Sequence, residues 1–134
     1  MNDLILLTLM TISYFILLLY DFNKYKTCIN EHREKIISIL IVHRALFIFL
    51  SVGWLSSNKT ILTLYLLTLV GLFIHWQTNN CYCVLTQLHN KFCNLPDDKQ
   101  YDFCFTMFNR ETACKLSYTC LFVLAIIVIY KISK

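Results

Sequence analysis

The amino-acid sequence predicts an all-α integral membrane protein, a four-transmembrane-helix bundle that forms one membrane domain over residues 1–134. Two observations predict this fold. Hydrophobic residues make up 57% of the chain and charged residues 15%, whereas soluble domains are roughly half apolar and a quarter charged. The apolar residues also gather in four runs, and only two Gly and one Pro interrupt the chain. Few helix breakers favour long helices over a many-turned sheet protein.

Each apolar run approaches the length that crosses a bilayer, which is ~20 residues with a lower limit of ~17. The period-two alternation of a membrane β-barrel is absent. The first run carries Asp3 and is followed by no small-residue cleavage site, so we expect a retained helix rather than a signal peptide. The predicted spans cover residues 4–20, 36–55, 60–77 and 113–131.

The distribution of Lys and Arg predicts the orientation. The loops over residues 21–35 and 78–112, with the start of the last span, hold eight of these residues: Lys24, Lys26, Arg33, Lys35, Lys91, Lys99, Arg110 and Lys115. The opposite end holds three: Lys59, Lys131 and Lys134. Because basic residues favour the cytoplasm, we expect both loops there and both termini on the non-cytoplasmic side, in a virion membrane or an internal membrane of a host.

The longer loop contains a second helical pattern. Val84, Leu85, Leu88 and Phe92 recur near helical spacing. The third helix is therefore predicted to continue, or to restart, as an interfacial helix. The acids after Pro96 then predict a further helix start that leads into the fourth span.

The chain of 134 residues contains seven cysteines, which raises the question of disulfide bonds. Cys114 and Cys120 lie at or inside an apolar run, and the other five share the predicted cytoplasmic side. Because the cytoplasm keeps thiols reduced, we expect mostly reduced, structural cysteines. Cys81 and Cys83 form a C-x-C pair rather than the repeated C-x2-C of a zinc site, so we expect no metal and no cofactor.

A polar segment follows the third run. His75, Asn79, Cys83 and Thr86 are spaced at i, i+4, i+8 and i+11, which places them on one face of an unbroken helix. Such a stripe can bind a metal, relay a proton, or hydrogen-bond to a neighbouring helix. We expect hydrogen bonds, as is usual for polar residues near a membrane surface.

The same segment carries a resemblance. The pattern His-Trp-x2-Asn-x3-Cys-x-Leu-Thr resembles a signature in small, uncharacterised multi-span membrane proteins of large DNA viruses. Its positions here are His75, Trp76, Asn79, Cys83, Leu85 and Thr86. Those proteins often carry Glu after the Thr, where this chain has Gln87. The resemblance implies a viral source and no established activity.

Arg44 is a charge inside the second span, eight residues or roughly 12 Å from its start. A charge at that depth is costly and indicates a functional residue by default. The predicted spans contain no acid, and the nearest carboxylates are Asp21, Glu31 and Glu34. Arg44 is therefore expected to reach lipid phosphate or to pair with one of these acids. His43 points about 100° away on a helix, so the two residues need not act together.

The motifs of phosphate-binding loops, serine hydrolases and zinc proteases are absent, and the basic residues lie between apolar runs, so we expect no nucleic-acid binding. The leading hypothesis is a non-enzymatic structural or interaction component of a membrane, including a viral one. Its expected partners are the lipid bilayer, other membrane or capsid proteins, or itself in a homo-oligomer. One alternative is a small oligomeric ion or proton channel that uses His43, Arg44 and His75. The other is a membrane thiol redox protein, although the C-x-x-C pair typical of such proteins is missing.

Overall fold

The structure is a computed structural model that describes residues 3–96 and 109–134. These residues form α-helices and contain no strand. The helices are α1 (Asp3–Lys24), α2 (Lys26–Glu31), α3 (Arg33–Val52), α4 (Lys59–Thr78), α5 (Val84–Phe92) and α6 (Arg110–Ser133), with a 3-10 turn at Gly53–Leu55 after α3.

Four of these helices are long and apolar enough to cross a membrane, namely α1, α3 with its 3-10 turn, α4 and α6. Only 11% of the most apolar window of α1 is buried within the protein, and the same holds for α6. Their large side chains therefore face outward, as Leu4, Leu19 and Phe122 do at 69%, 68% and 68% exposure. Soluble monomers rarely expose continuous apolar surface of this extent, whereas lipid accommodates it. The predicted all-α fold with four helices of spanning length is confirmed.

The helices pack in two pairs, α1 against α3 and α4 against α6. The larger core cluster lies between α4 and α6 and also receives side chains from the end of α3. At its centre is Tyr65, which is fully buried and donates its hydroxyl to the carbonyl of Leu50 at 2.7 Å. The buried members of this cluster are Leu62, Tyr65, Leu69, Leu121 and Val128.

The smaller core cluster lies at the other end of the protein, which we call the loop end and define by α2, α5 and residues 79–83. Leu18, Ile36 and Leu40 are buried there against aromatic side chains such as Phe22 and Phe92 and against Cys28 and Ile29 of α2. Helix α5 packs against α3. The third spanning helix thus ends and restarts, which was one of the two sequence predictions for this loop. The helix predicted after Pro96 lies outside the described residues.

Polar contacts close the opposite end, the turn end, defined by residues 53–58. The Asp3 carboxylate accepts hydrogen bonds from the Ser57 backbone N–H at 3.1 Å and from its hydroxyl at 2.9 Å. The Lys131 ammonium donates to the carbonyls of Trp54 at 2.9 Å and Ser56 at 2.7 Å. These bonds attach the first turn of α1 and the last turn of α6 to the connection between α3 and α4. They fix the positions of the long helices relative to one another along their axes. The positions of the groups at the loop end follow from this.

Candidate functional site

The polar segment after α4 is a break in the helix. Helix α4 ends at Thr78, and Asn80 and Cys81 have φ values of 49° and 62°. Few residues other than glycine adopt such left-handed conformations, and Asn is among those that do so most readily. Helix α5 then begins at Val84 with Cys83 as its N-cap residue. The prediction of a four-residue stripe on one unbroken helix is therefore wrong, because two left-handed residues interrupt the helix.

The predicted polar residues instead hold this break together. The His75 Nε2 atom accepts a hydrogen bond from the Val84 backbone N–H at 3.2 Å. The Asn79 side-chain amide donates to the Tyr82 carbonyl at 2.8 Å and to the Gln87 side chain at 2.9 Å. These bonds satisfy groups at the two helix ends. We call residues 79–83, with these contacts, the joint.

Two disulfides fasten the loop end. Cys28 is bonded to Cys93, with 5.2 Å between their Cα atoms, and Cys81 is bonded to Cys114, with 6.0 Å. Both separations lie within the usual range. The first bond attaches α2 to the end of α5, and the second attaches the joint to α6. The structure thus contradicts the predicted reduced state of these four cysteines, whose partners are 65 and 33 residues apart in sequence.

Cys83 is a free thiol in the joint, and its sulfur is hydrogen-bonded to the side chain of His43 on α3. Burial raises the pKa of the Cys83 thiol. The His43 hydrogen bond and charge, with the backbone N–H groups of Leu85 and Thr86, outweigh burial and bring the pKa below its usual value. A nearby imidazolium and a helix N-terminus are the groups that stabilise reactive thiolates in proteins. The sequence separates Cys83 from His43 by forty residues, so spacing gave no signal of this pair.

An apolar cavity of about 260 Å³ begins at this pair and lies between α3, α4 and α6. Its walls include Phe47, Leu72, Trp76, Leu121 and Leu124. It extends along α3 from His43 to Ser51, which is roughly 12 Å at the helical rise. Its few polar lining groups are His43, Ser51, Cys83, Ser117 and Cys120. Cys120 is also a free thiol.

An open groove lies on the other side of the joint and has a volume of about 560 Å³. The Cys81–Cys114 disulfide lines it, together with Trp76 and the charged α6 side chains Arg110, Glu111 and Lys115. One of these, Arg110, lies 3.8 Å above the ring of Tyr82 and donates to the Asn80 carbonyl at 2.5 Å. The two cysteines of the C-x-C pair therefore line different pockets. Cys81 belongs to the groove and Cys83 to the apolar cavity.

Arg44 pairs with Asp21. Its guanidinium donates to both carboxylate oxygens, at 2.5 Å from Nε and 2.8 Å from Nη2. Helix α1 continues to Lys24, beyond the predicted end of the first span, and so brings Asp21 into the protein, where it is fully buried. Of the two expected partners for Arg44, lipid phosphate and a nearby acid, the structure contains the acid.

His43 and Arg44, which were expected to point about 100° apart, lie near a common feature of the structure. Both line a small cleft of about 10 Å³, the size of one water molecule, together with Thr86 and His89. Thr86 is buried, and its hydroxyl has no hydrogen-bond partner among the described residues. His43 lines the apolar cavity as well. Its imidazole therefore connects the Cys83 thiol with the buried polar groups behind it.

Within residues 3–96 and 109–134, no group of three or more His, Cys, Asp or Glu side chains is placed to hold a metal ion. No protein-family model, curated protein or solved structure matches this chain. The candidate site is therefore defined by its geometry: a thiol–imidazole pair that lines an apolar cavity, and a disulfide two residues away in sequence that lines an open groove.

Proposed function

We propose that the protein is a multi-pass membrane protein that carries out thiol–disulfide redox chemistry at its loop end. One observation carries the proposal. The Cys83 thiol, hydrogen-bonded to His43, lies two residues from the Cys81–Cys114 disulfide and at one end of an apolar cavity. A free thiol with a lowered pKa on the same short segment as a disulfide supplies the two groups that thiol exchange requires. The redox alternative thus has more support than the channel, because Asp21 compensates the Arg44 charge on which the channel hypothesis relied.

The first step of the proposed exchange takes place in the open groove. A thiolate of a dithiol client attacks the sulfur of Cys114, which is partly exposed, and breaks its bond to Cys81. Cys81 leaves as a thiolate, and the charge of Arg110 in the same groove favours that leaving group, whereas Lys115 is paired with Glu111 there. The second client thiol then attacks the client sulfur of the mixed disulfide and releases Cys114. The client loses two electrons and two protons and becomes a disulfide, while Cys81 and Cys114 become thiols.

The two disulfides bear on the orientation of the protein in a membrane. Structural disulfides persist in oxidising compartments and are rare in the cytoplasm. Four cysteines of the loop end are paired in this way. We therefore propose that the loop end faces a non-cytoplasmic, oxidising space and that both termini face the cytoplasm. This reverses the orientation expected from the Lys and Arg distribution.

Transfer from a dithiol peptide tests the proposal. Purified, oxidised protein in detergent is incubated with a reduced dithiol peptide, and the thiols on both molecules are counted by alkylation and mass spectrometry. We expect one peptide dithiol to be oxidised per protein, with new thiols at Cys81 and Cys114. The matched control is Cys28→Ser with Cys93→Ser, which removes the other disulfide and should transfer equally well. If Cys81–Cys114 stays intact, or if Cys28–Cys93 is reduced in its place, the proposal fails.

The structural or interaction role, with other membrane or capsid proteins or itself as partner, is a second proposal. The outward apolar face of α1 favours it, because α1 packs against α3 and leaves large side chains such as Leu7 and Phe15 uncovered. Such a face suits either lipid or another spanning helix. Single cysteines at these two positions should cross-link between copies in a native membrane if the protein assembles with itself. The same positions should cross-link to other proteins if it joins a larger coat, including a viral one.

A further inference from the structure

The apolar cavity has the dimensions of a substituted ring with a short tail. Cavities of about 150 Å³ hold benzene, and drug-sized ligands begin near ~300 Å³. At about 260 Å³ this cavity lies between the two. Apart from Cys83 in the joint, its lining residues belong to α3, α4 and α6, which are helices of spanning length. A ligand of this cavity therefore enters from the apolar phase rather than from water.

The polar groups of the cavity suit a ring that carries oxygen atoms. The His43 imidazole and the Cys83 thiol lie at one end of the cavity, and the Ser117 hydroxyl also lines it. Imidazole and hydroxyl groups donate hydrogen bonds to carbonyl oxygens. Trp76 and Phe47 supply aromatic wall surface, against which a flat ring packs well. A saturated acyl chain would use the leucine walls but none of these donors.

A redox cycle at the joint requires an electron acceptor. After oxidation of a client, Cys81 and Cys114 hold two electrons that must leave before the next turnover. The groove is the client's side of the joint, whereas Cys83 faces the apolar cavity. We propose that the apolar cavity binds the ring of a membrane-soluble quinone, which oxidises the thiols of the joint through Cys83. This inference rests on the proposed function, because it names the acceptor in that reaction.

The Cys83 thiolate adds to a ring carbon, and the ring takes up one proton through His43. The Cys81 thiolate attacks the Cys83 sulfur, which breaks the S–C bond, forms a Cys81–Cys83 disulfide and releases the ring as a hydroquinone after it gains a second proton. Cys114 then attacks Cys81, restores the Cys81–Cys114 disulfide and frees the Cys83 thiolate. Two thiols lose two electrons and two protons, and the quinone gains both.

His43 is placed to move the protons of this step. It contacts the Cys83 sulfur on one side and lines the polar cleft with Arg44 and His89 on the other. It is a positioning and proton-carrying residue in the proposal, whereas Cys83 forms the bond to the ring. Replacing His43 by Gln keeps a hydrogen-bonding side chain but removes the titratable imidazole. The variant should therefore still bind the quinone and reduce it more slowly.

Tryptophan fluorescence tests binding, with a benzoquinone that carries a ten-carbon tail as the probe. The chain has two Trp residues, and only Trp76 lines the apolar cavity, whereas Trp54 lies near the turn end. Titration into oxidised full-length protein in detergent should quench the fluorescence of wild type and of Trp54→Phe, and should leave Trp76→Phe almost unchanged. Equal quenching in both variants would show non-specific uptake into the detergent and would overturn the inference. Equal competition by a saturated fatty acid would overturn it as well, in favour of an acyl chain.

A second pair of variants tests whether the cavity itself is the site. Leu46→Phe adds volume to the cavity wall, and overpacking of this kind should weaken quinone binding about tenfold or more. Leu67→Phe is the matched control, because Leu67 lies on α4, is 63% exposed and does not line the cavity. Equal affinity in the two variants would contradict the assignment.

Electron transfer separates this inference from the proposed function. Protein reduced beforehand at Cys81 and Cys114, freed of reductant and kept without oxygen, should reduce one quinone per chain, and Cys83→Ser should not. If the peptide dithiol reduces Cys81–Cys114 but no quinone binds or reacts, the quinone inference fails and the redox function stands. If quinone binds but the disulfide is inert to the peptide, the redox function fails and the electron-transfer part of this inference fails with it.

Discussion

Arg44 and Asp21 form a two-point ion pair that joins α3 to α1, with the carboxylate fully buried and the guanidinium 18% exposed. Both nitrogen–oxygen contacts lie along the planar fork of the guanidinium, the geometry in which such pairs are strongest. The pair also lies beside the cleft that His43 lines. It therefore fixes α1 against the element that positions the Cys83 thiol.

The first prediction concerns this pair. Asp21→Leu and Arg44→Leu should each destabilise the protein by about 3–5 kcal/mol, because each leaves one uncompensated buried charge. The double Leu variant should recover most of the loss, since apolar replacement of both partners is often neutral. Thermal unfolding in detergent, followed by circular dichroism, measures the effect.

A matched pair on the surface provides the control for this experiment. Glu111 and Lys115 form an ion pair one helical turn apart with both side chains at least 74% exposed. Water screens such pairs, and they contribute little. Glu111→Gln should leave the unfolding temperature unchanged. If the two Leu substitutions at Asp21 and Arg44 are additive rather than compensating, the ion pair does not stabilise α1.

The second prediction uses the two glycines of the chain. A Cβ atom at Gly53 would lie 2.8 Å from Cδ2 of Tyr65. The Tyr65 ring is fully buried and held by its bond to the Leu50 carbonyl, so it cannot move aside freely. Gly53→Ala should cost about 1–3 kcal/mol, as overpacking does. Gly71→Ala meets nothing within 4 Å and should stabilise α4 by roughly 0.5–1 kcal/mol. Equal unfolding temperatures for the two variants would contradict this description of the core.

The sequence predicted the four long helices because each is an apolar run, and a run of that length has few other structures open to it. It did not predict where the helices stop. The first span was expected to end at Tyr20, where the apolar run ends, yet α1 continues to Lys24. The Arg44 guanidinium compensates the charge of Asp21 and so permits a buried acid in that last turn. A pattern of hydropathy along one helix contains no information about a partner on another.

The site was less predictable for the same reason. Its bonds join residues that are far apart in sequence, such as Cys28 with Cys93 and His43 with Cys83. The helix break has no Gly or Pro to mark it, and its only local signal is the Asn79-Asn80 pair, since Asn tolerates the left-handed region. Periodicity therefore selected the polar segment at which the helix breaks but assigned it an unbroken helical conformation.

The third prediction is a pH dependence of stability that originates at His89. Burial is the main cause that lowers the pKa of His89 below its ordinary 6.5, with smaller contributions from the charges of His43 and Lys24. A hydrogen bond to the Asn90 side chain and the charge of Asp21 oppose that shift. Because the pKa of His89 is lower in the folded state, the unfolded chain binds a proton at His89 at pH values where the folded chain does not. Stability is therefore complete above pH ~6.5 and falls as the pH drops from there towards the folded-state pKa.

Thermal unfolding between pH 8 and pH 5 checks this dependence. His89→Gln removes the titrating group and should flatten the curve, whereas His32→Gln, an exposed histidine on the same end, should keep the slope of the wild type. The same slope in His89→Gln and wild type would place the pH dependence elsewhere. A slope of opposite sign would mean that the folded protein favours the charged imidazole.

The last prediction is the orientation of the protein in a membrane, where charge and redox chemistry disagree. The Lys and Arg distribution places the loop end in the cytoplasm, whereas two disulfides at that end require an oxidising space. We expect the orientation that the disulfides require. The Lys and Arg bias is only a tendency and has a moderate margin here, whereas the cytoplasm actively reduces such bonds. With the free thiols replaced by Ser, single exposed cysteines at Asn23 or Lys91 should react with a membrane-impermeant maleimide added outside intact cells. A cysteine at Lys59, at the turn end, should react only after the membrane is permeabilised, and all three should react in detergent. The reverse pattern would restore the charge-based orientation and would count against redox chemistry at the joint. Labelling of cysteines at Asn23 and Lys91 from opposite sides of the membrane would contradict four crossings.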